Sequence, residues 1–221
     1  VNVNGEKMSV SLDEYEKMYN ELKKSNTLIA QWNQELEQMV QERTSELEAA
    51  NNKLRYLSEM DGLTNIANRR HFDQVLQEEW QRSSLANQPL SVILLDVDYF
   101  KQVNDTYGHM VGDKVLKIFG RLLAKQFREK DIVGRIGGDE FVVTLAELDR
   151  EAEESAQLAG RVAEKIRATL AEPYFLETKT AVTGGIVEHC CSASIGVVLF
   201  VNHAIPLEEI MRRADAAMYR A

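Results

Sequence analysis

Apolar residues recur at helical intervals through the first quarter of the chain, and then the pattern changes. From Leu36 onward Val40, Arg43, Leu47, Ala50, Leu54 and Leu57 follow steps of four, three, four, three. This is a heptad seam. Upstream, Leu22, Ile29, Trp32 and Leu36 share one face, and the step from Trp32 through Leu36 to Val40 has the spacing of a stutter. Residues 11–59 contain neither Gly nor Pro and are rich in Glu, Gln, Lys and Leu, all good helix formers. Ser11 followed by Glu14 fits a capping box. A helix this long has no core of its own, so the pattern predicts a stalk that pairs with a second copy. The plainer alternative is a helix packed onto its own globular domain.

Residues 60–221 alternate between helix and strand periods. Helices are predicted over His71–Arg82, Gly112–Phe127, Arg150–Ala171 and Pro206–Arg220. Strands are predicted over Leu90–Val97 and Cys190–Phe200. Ile132–Ile136 and Phe141–Leu145 flank Gly137-Gly138 and read as a hairpin. The expected class is α+β with a largely antiparallel sheet. The expected division is 1–59 as a dimerisation and signalling stalk and 60–221 as the globular domain.

Charge narrows the partners. The formal net charge of −9 disfavours generic nucleic-acid binding, which depends on cations meeting phosphates. It leaves room for a small basic nucleotide pocket. No apolar stretch is long enough to span a bilayer. Cys190 and Cys191 are adjacent in an apolar run, which suits buried free thiols in a reducing cytoplasm. Val1–Lys7 is polar, and Met8 is the expected natural start.

The candidate chemistry is acidic. The strand Leu90–Val97 ends by meeting Asp96 and Asp98, which alternate onto one face. Carboxylates at the end of an apolar strand need compensation. Asp139 and Glu140 follow directly on the two glycines. If the hairpin lies beside the Asp96 strand, hard oxygen ligands converge, and those suit Mg²⁺ or Mn²⁺. The glycines are expected to supply positive φ and room for a ligand. The four histidines lack zinc-ligand spacing.

Arg135-Ile136-Gly137-Gly138-Asp139-Glu140-Phe141 resembles the defining motif of GGDEF-domain diguanylate cyclases. Asp61-Gly62-Leu63-Thr64 with Asn68-Arg69-Arg70 resembles the opening of that domain. Asp96-Val97-Asp98-Tyr99-Phe100-Lys101, Asn104-Asp105, Gly108-His109 and Gly112-Asp113 are similar to its second block. Ser194-Ile195-Gly196-Val197 and Ala214-Asp215-Ala216-Ala217-Met218-Tyr219 are similar to its last strand and helix. The resemblance covers residues 60–221.

It implies an adenylyl-cyclase- or palm-like fold, a central antiparallel sheet flanked by helices, preceded here by the helical stalk. It implies condensation of two GTP into cyclic di-GMP and two pyrophosphates, by a bacterial cytoplasmic homodimer. Asp96, the Val97 carbonyl and Asp139 would hold the metals, two Mg²⁺ or Mn²⁺ per site. Asp139 would accept the proton, with Glu140 completing the cluster. Asn104 and Asp113 would read guanine. Amides near Phe100 and Lys101 would cradle phosphates, and the Lys101 ammonium would stabilise the transition state. Arg128 and Asp131 match the family's inhibitory product site; the plainer reading is a surface salt bridge. The chain departs from the family at its end. Members usually continue past Tyr219 with a Lys and a Gly-Arg-Asn element, so the expectation is either a truncated C-terminus or the loss of some phosphate binding. The Pro173–Glu188 stretch is unlike the usual hairpin. The input is expected from a domain outside this chain or from a regulatory protein that grips the stalk, the latter if Met8 is the natural start. The rival readings are a non-catalytic cyclic di-GMP receptor and a coiled-coil scaffold.

Overall fold

Helix α1, Leu12–Glu59, carries the predicted heptads, and none of its residues is buried. The computed structural model describes residues 12–128, 130–148, 151–180, 183–201 and 205–221. The chain divides into two compact units, Val1–Arg55 and Tyr56–Ala221. Within the first, Leu22, Ile29, Trp32, Leu36, Val40, Leu47 and Leu54 all stand exposed on α1. The Ser11 cap and the Met8 start lie outside the described residues.

The second unit begins with the last turn of α1. Ser58 anchors that turn: its carbonyl accepts from Asn68 Nδ2 at 2.7 Å and from the Arg70 guanidinium at 2.5 Å. There follow β1 (Ala67–Asn68), α2 (Arg69–Ala86), β2 (Leu90–Val97), α3 (Phe100–Tyr107), α4 (His109–Gln126), β3 (Ile132–Arg135) and β4 (Glu140–Leu145). The unit ends with α5 (Ala152–Leu170), β5 (Tyr174–Thr180), β6 (Thr183–His189), β7 (Ala193–Phe200) and α6 (Leu207–Met218). One sheet has the order β1-β3-β4-β2-β7, and β5 and β6 form a separate antiparallel pair. Among the described strand pairs, only β1 against β3 is parallel.

The unbroken apolar run of β2 is explained by helices on both sheet faces. Ile93 and Leu95 join a core with Val115 and Phe119 of α4 and Ile166 of α5. Val92 and Leu94 join a second core with Phe72 and Leu76 of α2 and Ile210 of α6. Each such side chain contributes roughly 1.5–3 kcal/mol on burial. β7 is pressed against α6: a Cβ on Gly196 would lie 2.2 Å from the Ala214 carbonyl oxygen. Only glycine permits that approach.

Several boundaries move. α2 starts at Arg69 because Asn68 caps it, its Oδ1 accepting from the His71 N–H at 3.0 Å. The helix predicted from Gly112 starts at His109, and an unanticipated helix, α3, precedes it. α3 is short and polar, burying only Val103, so it shows no apolar stripe. The hairpin link is Ile136–Asp139, one residue earlier than the predicted Gly137–Glu140. β7 starts at Ala193 rather than Cys190, and α6 spans Leu207–Met218. Arg150, the predicted start of α5, lies outside the described residues.

Candidate active site

Strand register brings the acids together. β2 and β4 pair with Asp96 directly opposite Glu140, a separation of about 4.5–5.5 Å between Cα atoms in such pairs. One residue on, the Val97 N–H donates to the Asp139 carbonyl at 3.2 Å. Asp96, Val97, Asp139 and Glu140 thus share one end of the sheet. Burial pushes the Asp96 carboxyl up to about 6, and the charges of Asp139, Glu140 and Asp98 push it the same way. Negative charge is in excess there, and a divalent cation would relieve it. The hard oxygen donors fit Mg²⁺, which takes one or two carboxylates and completes its shell with water and substrate phosphate. As the side chains stand, no three His, Cys, Asp or Glu groups among the described residues form a ready ligand set; the fit is one of chemistry.

Asp98 does not join the acids as a donor. Its carboxylate accepts from Ser192 Oγ at 2.5 Å and Ser194 Oγ at 2.7 Å, tying β2 to the start of β7. The motif glycines also differ from expectation, since neither Gly137 nor Gly138 adopts positive φ. A Cβ on Gly137 would meet Glu140 Oε2 at 2.5 Å, whereas Gly138 faces open space. That neighbour is the far end of a flexible side chain, so neither a left-handed turn nor packed backbone holds these two positions to glycine.

The turn is held by a side chain outside it. Arg135 donates through Nε and one terminal nitrogen to the Gly138 carbonyl at 3.1 and 2.6 Å. Its other terminal nitrogen reaches Asp61 Oδ1 at 3.0 Å. Asp61 Oδ1 also accepts from the Thr64 N–H at 2.9 Å and hydroxyl at 2.6 Å. Burial alone would raise the Asp61 carboxyl; the bonds from Thr64 and Arg135 outweigh it and leave it below the ordinary value. Sequence reasoning quoted Asp61 and Arg135 as motif letters and gave them no role. A lone cation two residues before the glycines was the available signal.

After Val97 the chain turns through Tyr99, which is left-handed at φ 57°, into α3. Phe100 and Lys101 are its first two residues, so their N–H groups have no carbonyl earlier in the helix to bond. Such amides can receive an anion. Lys101 is exposed. Asn104 points from α3 into the start of α4: its Oδ1 lies 2.0 Å from where a Gly112 Cβ would be. Asp113, the next residue, is exposed. The structure therefore gathers Asn104 and Gly112-Asp113 at the α3–α4 junction.

Arg128 and Asp131 sit at the far end of the hairpin, about 15 Å of strand from the glycines. They form no side-chain ion pair. Asp131 instead accepts from the Arg128 N–H at 3.1 Å and the Ala146 N–H at 3.4 Å. The Arg128 side chain is exposed.

The fold and this acidic sheet end define a GGDEF-type domain, and comparison with known proteins agrees. The family model "Diguanylate cyclase, GGDEF domain" matches residues 58–221. The chain belongs to that family. It is 37% identical over 167 residues to the probable diguanylate cyclase DgcT of Escherichia coli K12, covering 75% of this chain and 34% of DgcT. It is 33% identical over 177 residues to the cyclic di-GMP phosphodiesterase NbdA of Pseudomonas aeruginosa, covering 80% of this chain and 21% of NbdA. The chain thus spans well under half the length of these curated relatives. Among solved structures, diguanylate cyclase SiaD of P. aeruginosa in complex with its activator SiaC is similar at TM-score 0.64 and 32% identity, over 94% of this chain and 76% of that one. The coiled coil and GGDEF domain of DgcB of Caulobacter crescentus, in complex with c-di-GMP, is similar at TM-score 0.69 and 27% identity, over 83% and 92%.

Proposed function

We propose that this chain is a diguanylate cyclase that works as a homodimer in the bacterial cytoplasm, each globular domain holding one GTP. The observation that carries the reading is the pairing of Asp96 with Glu140, with Asp139 one residue away and the Asp96 carboxyl pushed up to about 6. A structural surface has no need of that repulsion, whereas a metal-dependent phosphoryl-transfer site does. Asp113 accepts from the N1–H and N2–H groups that guanine has and adenine lacks, and Asn104 assists. The first amides of α3 and the Lys101 ammonium receive the phosphates. Asp96, the Val97 carbonyl and Asp139 would hold two Mg²⁺ or Mn²⁺. When bound, those ions neutralise phosphate charge and acidify the attacking hydroxyl. Asp139 takes the proton of the 3′-hydroxyl as it attacks the α-phosphate of the facing GTP, and pyrophosphate leaves.

The exposed Arg128 supports the second part of the reading, product inhibition at Arg128 and Asp131. Its guanidinium is available to phosphate or guanine, while Asp131 keeps lone pairs beyond those used in its turn. The stalk is helical, and one similar structure holds a coiled coil with its GGDEF domain and another an activator protein, which suits pairing and a regulatory protein. A receptor reading would leave the acids idle. Incubation with GTP and Mg²⁺ followed by chromatography separates the two. Cyclic di-GMP should form with the native chain and not with Asp139→Ala. A folded native chain that binds cyclic di-GMP but makes none would favour the receptor.

A further inference from the structure

The outer face of α4 carries cations that the proposed chemistry does not use. Lys114, Lys117, Arg121 and Lys125 follow steps of three, four and four, which align them on one side of the helix. At 1.5 Å per residue, Lys117 to Lys125 spans about 12 Å. These charges border two adjoining hollows. The larger, about 630 Å³, lies between α4 and the Gly62–Ile66 turn and includes Lys117, Arg121 and Lys125. The smaller, about 370 Å³, includes Lys114, Lys117, Arg121 and the exposed ring of Phe175 on β5. Among the described residues, neither hollow has an acidic side chain in its wall, in a chain of net charge −9. Lys117, Arg121 and Lys125 have no carboxylate partner among the described residues.

A solvated helix face would alternate its charges, as α5 and α6 do with Glu164–Arg167 and Glu209–Arg212. Lys125 alone complements the helix C-terminus. Lys117 and Arg121 lie further back, so that explanation does not reach them. Concavity, uncompensated cations over about 12 Å and an aromatic ring at one end are the features that hold several phosphates and a base. We infer that the face of α4 between the Gly62–Ile66 turn and Phe175 is a second anion site, for a nucleoside polyphosphate, separate from the guanine-reading junction at Asn104 and Asp113. Phosphates lie along Lys117, Arg121 and Lys125, and the base rests on Phe175.

Titration calorimetry of the full chain without divalent metal tests this. The probes are ATP, whose base lacks the guanine donor edge, and inorganic tripolyphosphate. Both should bind saturably, and Lys117→Glu with Arg121→Glu should weaken both by about tenfold or more. Phe175→Ala should weaken ATP and spare tripolyphosphate. Asn104→Ala should change neither. If the reversal variant is misfolded by circular dichroism, Lys117→Gln with Arg121→Gln serves, with a smaller loss expected. Binding unchanged in the charge variants, loss on Asn104→Ala, or no saturable binding up to roughly millimolar probe would each overturn the inference.

Discussion

At the residue scale, Asp96 is where the site and the stability of the domain compete. Its carboxyl is raised from 3.8 to about 6, so between those values the folded chain holds a proton that the unfolded chain has lost. Stability therefore falls as pH rises through that window. Asp96→Asn should stabilise the metal-free protein at pH 7.5, by on the order of 1 kcal/mol once solvent screening is allowed for. The gain should vanish below pH 4. Mg²⁺ should raise the melting temperature of the native chain at pH 7.5 and leave the variant unmoved. Thermal melts across pH read both effects, and an equal Mg²⁺ response in the two proteins would remove Asp96 from the metal site. Gly112 makes the complementary case for guanine. An alanine there would drive the Asn104 carboxamide from its place. Gly112→Ala should raise the KM for GTP about tenfold and narrow the preference for GTP over ATP. An unchanged KM would show that Asn104 does not read the base.

At the element scale, the sequence announced what is apolar and periodic and missed what is held by polar contacts. The β2 run and the stripe Val115, Leu116, Phe119, Leu122, Leu123 of α4 were legible because cores on both sheet faces leave continuous or amphipathic patterns, Leu122 lying partly buried at the edge of its core. α3 was not, since a short helix with one buried residue has no stripe to read. That Asp96 and Glu140 lie opposite was conditional on the hairpin joining β2, and only long-range register settles such a condition. The polar brace was invisible for the same reason, its partners Arg135 and Asp61 being 74 residues apart. Its removal has a definite consequence. Arg135→Ala takes the cation from a part-buried carboxylate, which keeps only its Thr64 bonds, and leaves the Gly138 carbonyl without its donor, which should cost about 2 kcal/mol in urea denaturation. It should also lower turnover more than GTP affinity, because the catalytic turn loosens while α3 and α4 stay in place. Arg135→Lys should recover only part, since a single ammonium cannot reproduce the guanidinium fork.

At the scale of the whole molecule, the proposed chemistry demands two half-sites and the chain would supply one. The seam residues of α1 from Leu22 to Leu54 are uncovered in the single chain. An isolated helix with that much apolar surface gains by meeting another copy. Joining two domains in this way replaces a bimolecular encounter with an effective concentration in the millimolar range, as is typical of short linkers. Deleting residues 1–57 isolates the effect, because the cut keeps Ser58, whose carbonyl anchors Asn68 and Arg70. The remaining unit has its own two cores. Turnover per domain should then fall sharply at nanomolar protein and climb with concentration, while the intact chain stays flat over the same range. Leu47→Asp with Leu54→Asp should reproduce the loss without shortening the chain and should shift sedimentation toward monomer. If the shortened protein turns over GTP at the native rate at every dilution, the two half-sites meet without the stalk, and α1 must serve some purpose other than pairing them.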